Sequence, residues 1–277
     1  MGYNRPSVVA EAAKKKLITC MITDNTPEKC IATIRNAIFS GADAFYLDIT
    51  KLENEYRNID SMKRIFDYCE DKPAIVYCYR RENRPDMTDQ RIGDTLLMAV
   101  EAGASMCDIV GDSFAPNPLQ LTFEEEAIQK QKELTDRIHD AGGEVLMSSH
   151  VWQHMTNEEL LTHVLALEKR NADMVKLACI ATNEAEMLDA IKLTVEMKNV
   201  LHVPFIHICL GQYGKLHRAI SPMLGASMSL CVETYDEINL KDQPLVRSEK
   251  AVFDNLDWKM ARDSSYGTVH AQRKDYY

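Results

Sequence analysis

The sequence predicts an α/β protein, a single-domain (β/α)8 TIM barrel over residues 1–277, with the barrel core in 15–257 and a C-terminal tail in 258–277. Three observations predict it. Short apolar, β-prone runs recur eight times, at 17–23, 44–49, 74–79, 106–110, 144–149, 174–180, 204–210 and 227–232. Between them lie amphipathic stretches with apolar residues three and four apart, such as Leu160, Leu161, Val164, Leu165 and Leu167, the spacing of one helix face. No Gly/Pro/Ser-rich linker or shift of composition divides the chain, which speaks against two separate halves.

In chain order, the eight runs read as parallel strands because they are apolar throughout, as strands covered by helices on both faces must be. Helix starts are marked by Thr26 before Pro27, by Thr122 with Glu125 and by Thr156 with Glu159, the last two having the form of capping boxes. Helix ends are marked by Gly41, Gly103 and the pair Gly142-Gly143 ahead of the second, fourth and fifth strands, where a left-handed residue is least costly for glycine. The unit of strand plus helix is about thirty residues. Eight such units favour a closed barrel over an open doubly wound sheet.

Forty-two acidic against thirty-two basic residues give a net charge of −10. With no basic stripe interleaved with aromatics, nucleic acid and anionic membranes are excluded as partners. The N-terminal stretch MGYNRPSVVAEAAKKK has no long apolar run, and Pro6 stands where a myristoylation signal needs Ser or Thr, so a cytoplasmic protein is expected. Of eight cysteines, Cys20, Cys78, Cys107, Cys179, Cys209 and Cys231 lie inside apolar runs and none forms a CxxC pair. Free buried thiols are the expectation.

In a barrel, polar side chains at the C-terminal strand ends face the mouth and its chemistry. His150 closes the fifth run and Lys176 lies within the sixth, in Ala172-Asp173-Met174-Val175-Lys176-Leu177-Ala178. An unpaired ammonium buried there is driven to lose its proton. The free amine can attack a ketone, and the protonated imine then acidifies the neighbouring carbon for a histidine base on the adjacent strand. A lysine that snorkels or pairs with a carboxylate, beside a satisfied core histidine, fits the same spacing. Residue spacing alone leaves both readings open.

Other features are weaker. Gly211-Gln212-Tyr213-Gly214 with Lys215 and Arg218 fits either an anion-binding helix start or a plain turn. His202, His207 and His217 invite a metal reading, but no HxH opens the first strand and no carboxylates cluster beside them, so no metal is expected. The polar stretch 233–243 after the eighth strand reads as a lid or as an ordinary surface loop, and 263–277 as a mobile or partner-docking tail.

Several motifs together resemble the type I 3-dehydroquinate dehydratases over roughly residues 15–257. They are Gly41-Ala42-Asp43, Lys72-Pro73, Ser148-Ser149-His150, the run 172–178, Ile208-Cys209-Leu210-Gly211, Gly214-Lys215, His217-Arg218 and Leu224-Gly225-Ala226. The resemblance implies a Schiff-base lyase of the shikimate or quinate pathway, in which Lys176 forms the imine and His150 is the acid and base. Arg218 then holds the carboxylate of a keto acid, Gln243 comes from a lid, and Tyr46, Asp48, Arg80 and Glu82 line the substrate pocket. It further implies a homodimer without cofactor or metal, and dehydration of 3-dehydroquinate to 3-dehydroshikimate or of a related carboxylated cyclic ketone.

The chain departs from that pattern in its recognition shell. The family's Glu-x-Arg-x-Asp on strand two reads Tyr46-Leu47-Asp48-Ile49-Thr50, and Thr-x-Arg on strand three reads Tyr77-Cys78-Tyr79, with Arg80 one residue late. The glutamate that supports the family's histidine falls near Asn83, with Glu82 adjacent. Strand four carries Asp108-Ile109-Val110 for Asp-x-Glu, and Lys241-Asp242 stands for the Pro-Gly before Gln243. The alternatives are a divergent class I aldolase or dehydratase with another keto substrate, or a catalytically silent barrel that binds a small anion.

Overall fold

A computed structural model describes residues 6–80, 85–236 and 242–256. The apolar runs form β1 (Leu17–Ile22), β2 (Ala44–Asp48), β3 (Ala74–Tyr77), β4 (Met106–Val110), β5 (Glu144–His150), β6 (Met174–Ile180), β7 (Phe205–Leu210) and β8 (Met228–Cys231). The helices are α1 (Val8–Lys14), α2 (Pro27–Ser40), α3 (Ile59–Asp67), α4 (Asp89–Ala102), α5 (Glu125–Asp140), α6 (Asn157–Glu168), α7 (Glu184–Val200), α8 (Gly214–Leu224) and α9 (Val246–Asn255). The parallel ladder runs β7-β6-β5-β4-β3-β2-β1-β8. Its two ends meet where the Ser227 amide donates to the Phe205 carbonyl at 2.7 Å, so the sheet closes as the eightfold repeat predicts.

Strand alternation splits the apolar residues into two cores. Leu17, Ala44, Tyr46, Ile75, Tyr77, Met106, Leu146, Met174, Ile206 and Met228 fill the barrel interior. Residues one position along, such as Ile18, Phe45, Val76, Cys107, Val145 and Val175, pack outward against the helices. All eight cysteines are free and buried, as expected of core thiols. No helix among the described residues is long and apolar enough to cross a membrane.

The marked helix ends hold at most positions. Thr26 caps α2, Thr156 and Glu159 make a complete capping box on α6, and Gly41 ends α2 at φ 99°. Thr122 behaves differently. Its hydroxyl accepts from the Glu124 amide at 3.1 Å, and α5 starts later, at Glu125, without a side-chain cap. Two further differences bear on the site: β3 ends at Tyr77, two residues early, leaving Tyr79 and Arg80 on the following loop, while β5 extends through His150. Helix α1 was not legible as a barrel element. It is fixed by Glu144 at the start of β5, whose carboxylate accepts from the Ser7 hydroxyl, the Val8 amide at 2.7 Å and the Val9 amide at 3.3 Å.

Candidate active site

Lys176 points into the barrel because it alternates with Met174 and Ala178, which share the interior core. Register places Ser148 of β5 beside it, and His150 beside Ala178, so amine and imidazole belong to neighbouring strands near their C-terminal ends. The lysine side chain is only 4% exposed. Its Nζ donates to Tyr46 Oη at 2.9 Å and Tyr79 Oη at 3.0 Å, and stands 3.1 Å from Asp108 Oδ2. The expectation of an unpaired amine is therefore corrected: a fully buried carboxylate faces it.

Asp108 is the hub of this cluster. Both phenols donate to its Oδ2 and the Ser148 hydroxyl donates to its Oδ1. Burial pushes the carboxyl up, but the Lys176 charge and the three hydroxyl donors outweigh it and hold Asp108 below the usual carboxylate range. Burial, followed by the Asp108 charge, pushes both Tyr46 and Tyr79 well above the usual phenol range, so they act as donors and not as bases. The sequence places Asp108 on strand four but gives no sign that it pairs with a lysine two strands away. Interior-facing alternation on β4, with Met106 inward, is the signal that could have found it.

His150 is held by Gln120, which the sequence reading missed. Gln120 Oε1 takes the backbone amide of His150 at 3.0 Å and its Nδ1 at 2.7 Å. An oxygen that accepts from an amide also accepts from the ring, so Nδ1 carries the proton and Nε2 keeps its lone pair. Burial first, and the Lys176 charge second, lower the imidazole to about 3. A neutral amide partner leaves it there, whereas a carboxylate would raise it.

The loop bearing Gln120 is rigidly built. Gln120 itself adopts φ 49°, and Gly111 at its base has no room for a side chain, since a Cβ would lie 2.8 Å from the Gln120 carbonyl and 2.5 Å from Leu167. Buried Arg170 ties the loop down through the carbonyls of Gly111 and Thr122 and through Gln131.

The remaining predicted residues divide. Arg80 is spent on the same loop: it pairs with Asp112 and, at 3.3 Å, with Asp89, so it braces the turn that carries Gln120 and is not among the groups around Lys176. Asp48 is buried at the mouth end of β2, where its Oδ1 accepts from the Thr50 amide at 3.0 Å. Glu82, offered as a substrate ligand, lies outside the described residues, as do residues 237–241 of the expected lid. Gln243 is half-buried just before the Val232–Leu245 bridge, which returns the chain to the end of β8.

Arg218 comes from α8, which opens against β7 so tightly that a Cβ on Gly214 would lie 2.1 Å from the Cys209 carbonyl. Its guanidinium is 7% exposed, donates to the Leu230 carbonyl at 3.4 Å and faces Asp242 at 3.9 Å. Beneath it, Glu249 of α9 is buried with Oε1 unpartnered, and burial pushes its carboxyl up to about 7 against the Ser229 hydrogen bond and the Arg218 charge. His207 and His217 are structural: both are buried, joined through Thr194 Oγ1 at 2.8 and 2.9 Å, while His202 pairs with Glu168 at the surface. Among the described residues no group of three or more His, Cys, Asp or Glu is arranged to hold a metal ion.

A closed parallel barrel with a buried lysine and a neutral histidine near the C-terminal ends of neighbouring strands, and a buried arginine on the helix after β7, belongs to the class of (β/α)8 barrels whose mouths carry a polar site. The family model of type I 3-dehydroquinase matches residues 18–235, and the chain belongs to that family. Relatives are distant. A 3-dehydroquinate dehydratase of Syntrophotalea carbinolica is 27% identical over 109 residues, covering 39% of this chain and 42% of the relative. That of Aromatoleum aromaticum is 28% identical over 75 residues, covering 27% of this chain and 29% of the relative. These matches thus span less than half the length of either relative. The fold likeness is wider: the crystal structure of 3-dehydroquinate dehydratase from Geobacillus kaustophilus superposes with a TM-score of 0.74 at 13% identity, covering 87% of this chain and 90% of that one.

Proposed function

We propose that the chain is a Schiff-base-forming hydro-lyase that dehydrates 3-dehydroquinate or a related carboxylated cyclic ketone. The observation that carries the reading is the placement of buried Lys176 on β6 and neutral His150 on the neighbouring strand β5, close enough for the lysine charge to lower the imidazole. The Lys176 amine, its proton passed toward Asp108 at 3.1 Å, adds to the ketone, and loss of water gives the protonated imine. The imine withdraws electrons from the adjacent carbon, and His150 Nε2 removes a proton there to leave an enamine. The enamine expels the β-hydroxyl, which takes the proton back from His150 and leaves as water. A second water hydrolyses the conjugated imine, freeing the enone and the amine. Arg218 binds the substrate carboxylate in place of Asp242, and Gln243 approaches from the lid side.

The test is incubation with 3-dehydroquinate and borohydride, followed by intact-mass measurement and peptide mapping. A reduced adduct on Lys176, with growth of enone absorbance in the unreduced reaction, is the expected result. Folded protein that gives neither overturns 3-dehydroquinate as the substrate, and the absence of an adduct with related carboxylated cyclic ketones as well overturns the Schiff-base reading. One observation favours a second reading, a silent anion-binding barrel: the Lys176 nitrogen already has three partners, Tyr46, Tyr79 and Asp108. On that reading Lys176→Ala leaves anion binding intact and no ketone gives an adduct. The family resemblance also supports a homodimer, which light scattering on the full chain tests, and the eight buried free thiols support a reducing, cytoplasmic setting.

A further inference from the structure

Five rings form a continuous wall from the barrel interior to the solvent. Tyr46 stacks on Tyr77 with centroids 4.9 Å apart, and Tyr77 meets Tyr79 at 4.8 Å. Tyr79 meets the His150 ring edge-on at 5.5 Å, and His150 lies nearly parallel to Trp152 at 6.3 Å and 15°. Trp152 ends the series with 62% of its surface exposed. A tryptophan left that open, directly beside the base, offers an aromatic face at the mouth.

The polar groups along this wall are already engaged. Both phenols donate to Asp108 and accept from Lys176. Arg80 is held by Asp112 and Asp89, and Asp48 by the Thr50 amide. Among the described residues of the β2 and β3 side, Tyr79 is the ring left partly exposed at the mouth, above buried Tyr46 and Tyr77, while Arg80 and Asp48 are already engaged. A substrate hydroxyl pressed against these described residues loses its water and meets polar groups already committed to one another or to backbone, a penalty of about ten-fold in affinity for each such group.

We propose that the site is shaped for a β-hydroxy keto acid with a flat, hydroxyl-poor body that lies along Tyr79, His150 and Trp152. The inference rests on the imine-forming reading of Lys176 and narrows its substrate class. The leaving hydroxyl and the carboxylate are retained, since elimination and Arg218 require them. The ring diol of 3-dehydroquinate is what the wall disfavours.

The probe is 1-hydroxy-3-oxocyclohexane-1-carboxylate, which keeps the ketone, leaving group and carboxylate of 3-dehydroquinate but lacks its diol. The only other tryptophan is Trp258, so full-length Trp258→Phe protein makes Trp152 the sole indole reporter. The expected result is quenching of Trp152 emission by the diol-free ketone at a Kd about ten-fold or more below that of 3-dehydroquinate. Trp152→Ala in the otherwise unchanged chain should weaken the diol-free ketone about five-fold. A preference below about three-fold, a preference for 3-dehydroquinate, or Trp152 emission that responds to neither ketone overturns the proposal. Borohydride trapping on the same samples reports the chemistry separately. Absence of an adduct with both ketones sinks the Schiff-base reading, while the binding ratio still decides the substrate class.

Discussion

Replacing Asp108 by asparagine keeps the shape of the hub and removes its charge. In the native protein Nζ and Oδ2 are 3.1 Å apart, with the two side chains 4% and 0% exposed. At an effective dielectric of about 20 their attraction is about 5 kcal/mol. Much of that repays desolvation, so the ion pair as a whole adds little over a neutral pair, but an ammonium stranded beside an uncharged amide costs about 3–5 kcal/mol. For a chain of this size the loss lowers Tm by about 10 °C. Lys176→Met strands the carboxylate instead and should cost a similar amount. The double variant strands neither charge, so its loss should fall short of the sum of the single losses by about 2 kcal/mol or more. Reversible urea unfolding of all four proteins at pH 7 measures this coupling. Single losses that add within about 0.5 kcal/mol would refute the claim that the two residues form a charge pair in the folded state.

Four further outcomes are expected. Gln120→Glu places a carboxylate on Nδ1 and should raise the His150 pKa clearly above its value of about 3, seen as movement of the imidazole NMR titration or of the acid limb of the rate profile; an unmoved titration contradicts the assigned contact. Glu249, raised to about 7 in the folded state from an ordinary 4.5, keeps its proton where the unfolded chain has lost it, so its contribution is full below about pH 4.5 and is lost as pH rises through 7. Glu249→Gln should therefore stabilise the protein by about 3 kcal/mol at pH 8 and by little at pH 4.5, and a pH-independent effect in thermal scans rules this out. Asp242→Asn removes the anion facing Arg218 at 3.9 Å and should tighten binding of a carboxylated ligand several-fold by calorimetry, with no change if Asp242 does not compete for the guanidinium. Gly111→Ala forces Leu167 and the Gln120 carbonyl apart and should lower stability by about 2–3 kcal/mol while also disturbing the His150 titration, whereas a stable variant with an unchanged titration separates the loop from the histidine.

The barrel was legible because its signals are local and repeated: eight apolar runs, helical spacing between them, and glycine at the exits. Lys176 and His150 were legible for the same reason, since a charged or titratable residue inside an apolar strand run stands out against its neighbours. What completes the site lies across the barrel. Asp108 meets Lys176 from two strands away, and Tyr46 and Tyr79 reach it from strand two and the loop after strand three. No sequence spacing encodes that convergence. Gln120 was hidden more deeply, because its approach to His150 depends on an irregular loop, a left-handed φ and the buried Arg170 anchor. Arg80 is a different case: its place beside strand three suggested a ligand, and its ion pairs with Asp89 and Asp112 depend on a loop that no local pattern marks.

On the proposed Schiff-base reading, the cluster around Lys176 must reconcile two demands on one nitrogen. Folding requires that an ammonium this deep have a counter-charge, and Asp108 supplies it; imine chemistry requires that the same nitrogen shed a proton without creating a new buried charge. Proton passage from Nζ to Oδ2 meets both, because it turns a charged pair into a neutral one inside a medium of low dielectric. Tyr46 and Tyr79 set how easily this happens. Their donated hydrogen bonds stabilise the carboxylate, as does the Ser148 hydroxyl, and so make Asp108 a weaker proton acceptor. Removing one donor by Tyr79→Phe should therefore make Asp108 a better proton acceptor and raise the rate of imine trapping at neutral pH. Slower trapping, with ketone affinity unchanged, would mean that the Tyr79 hydroxyl acts on the ketone oxygen directly and not through Asp108.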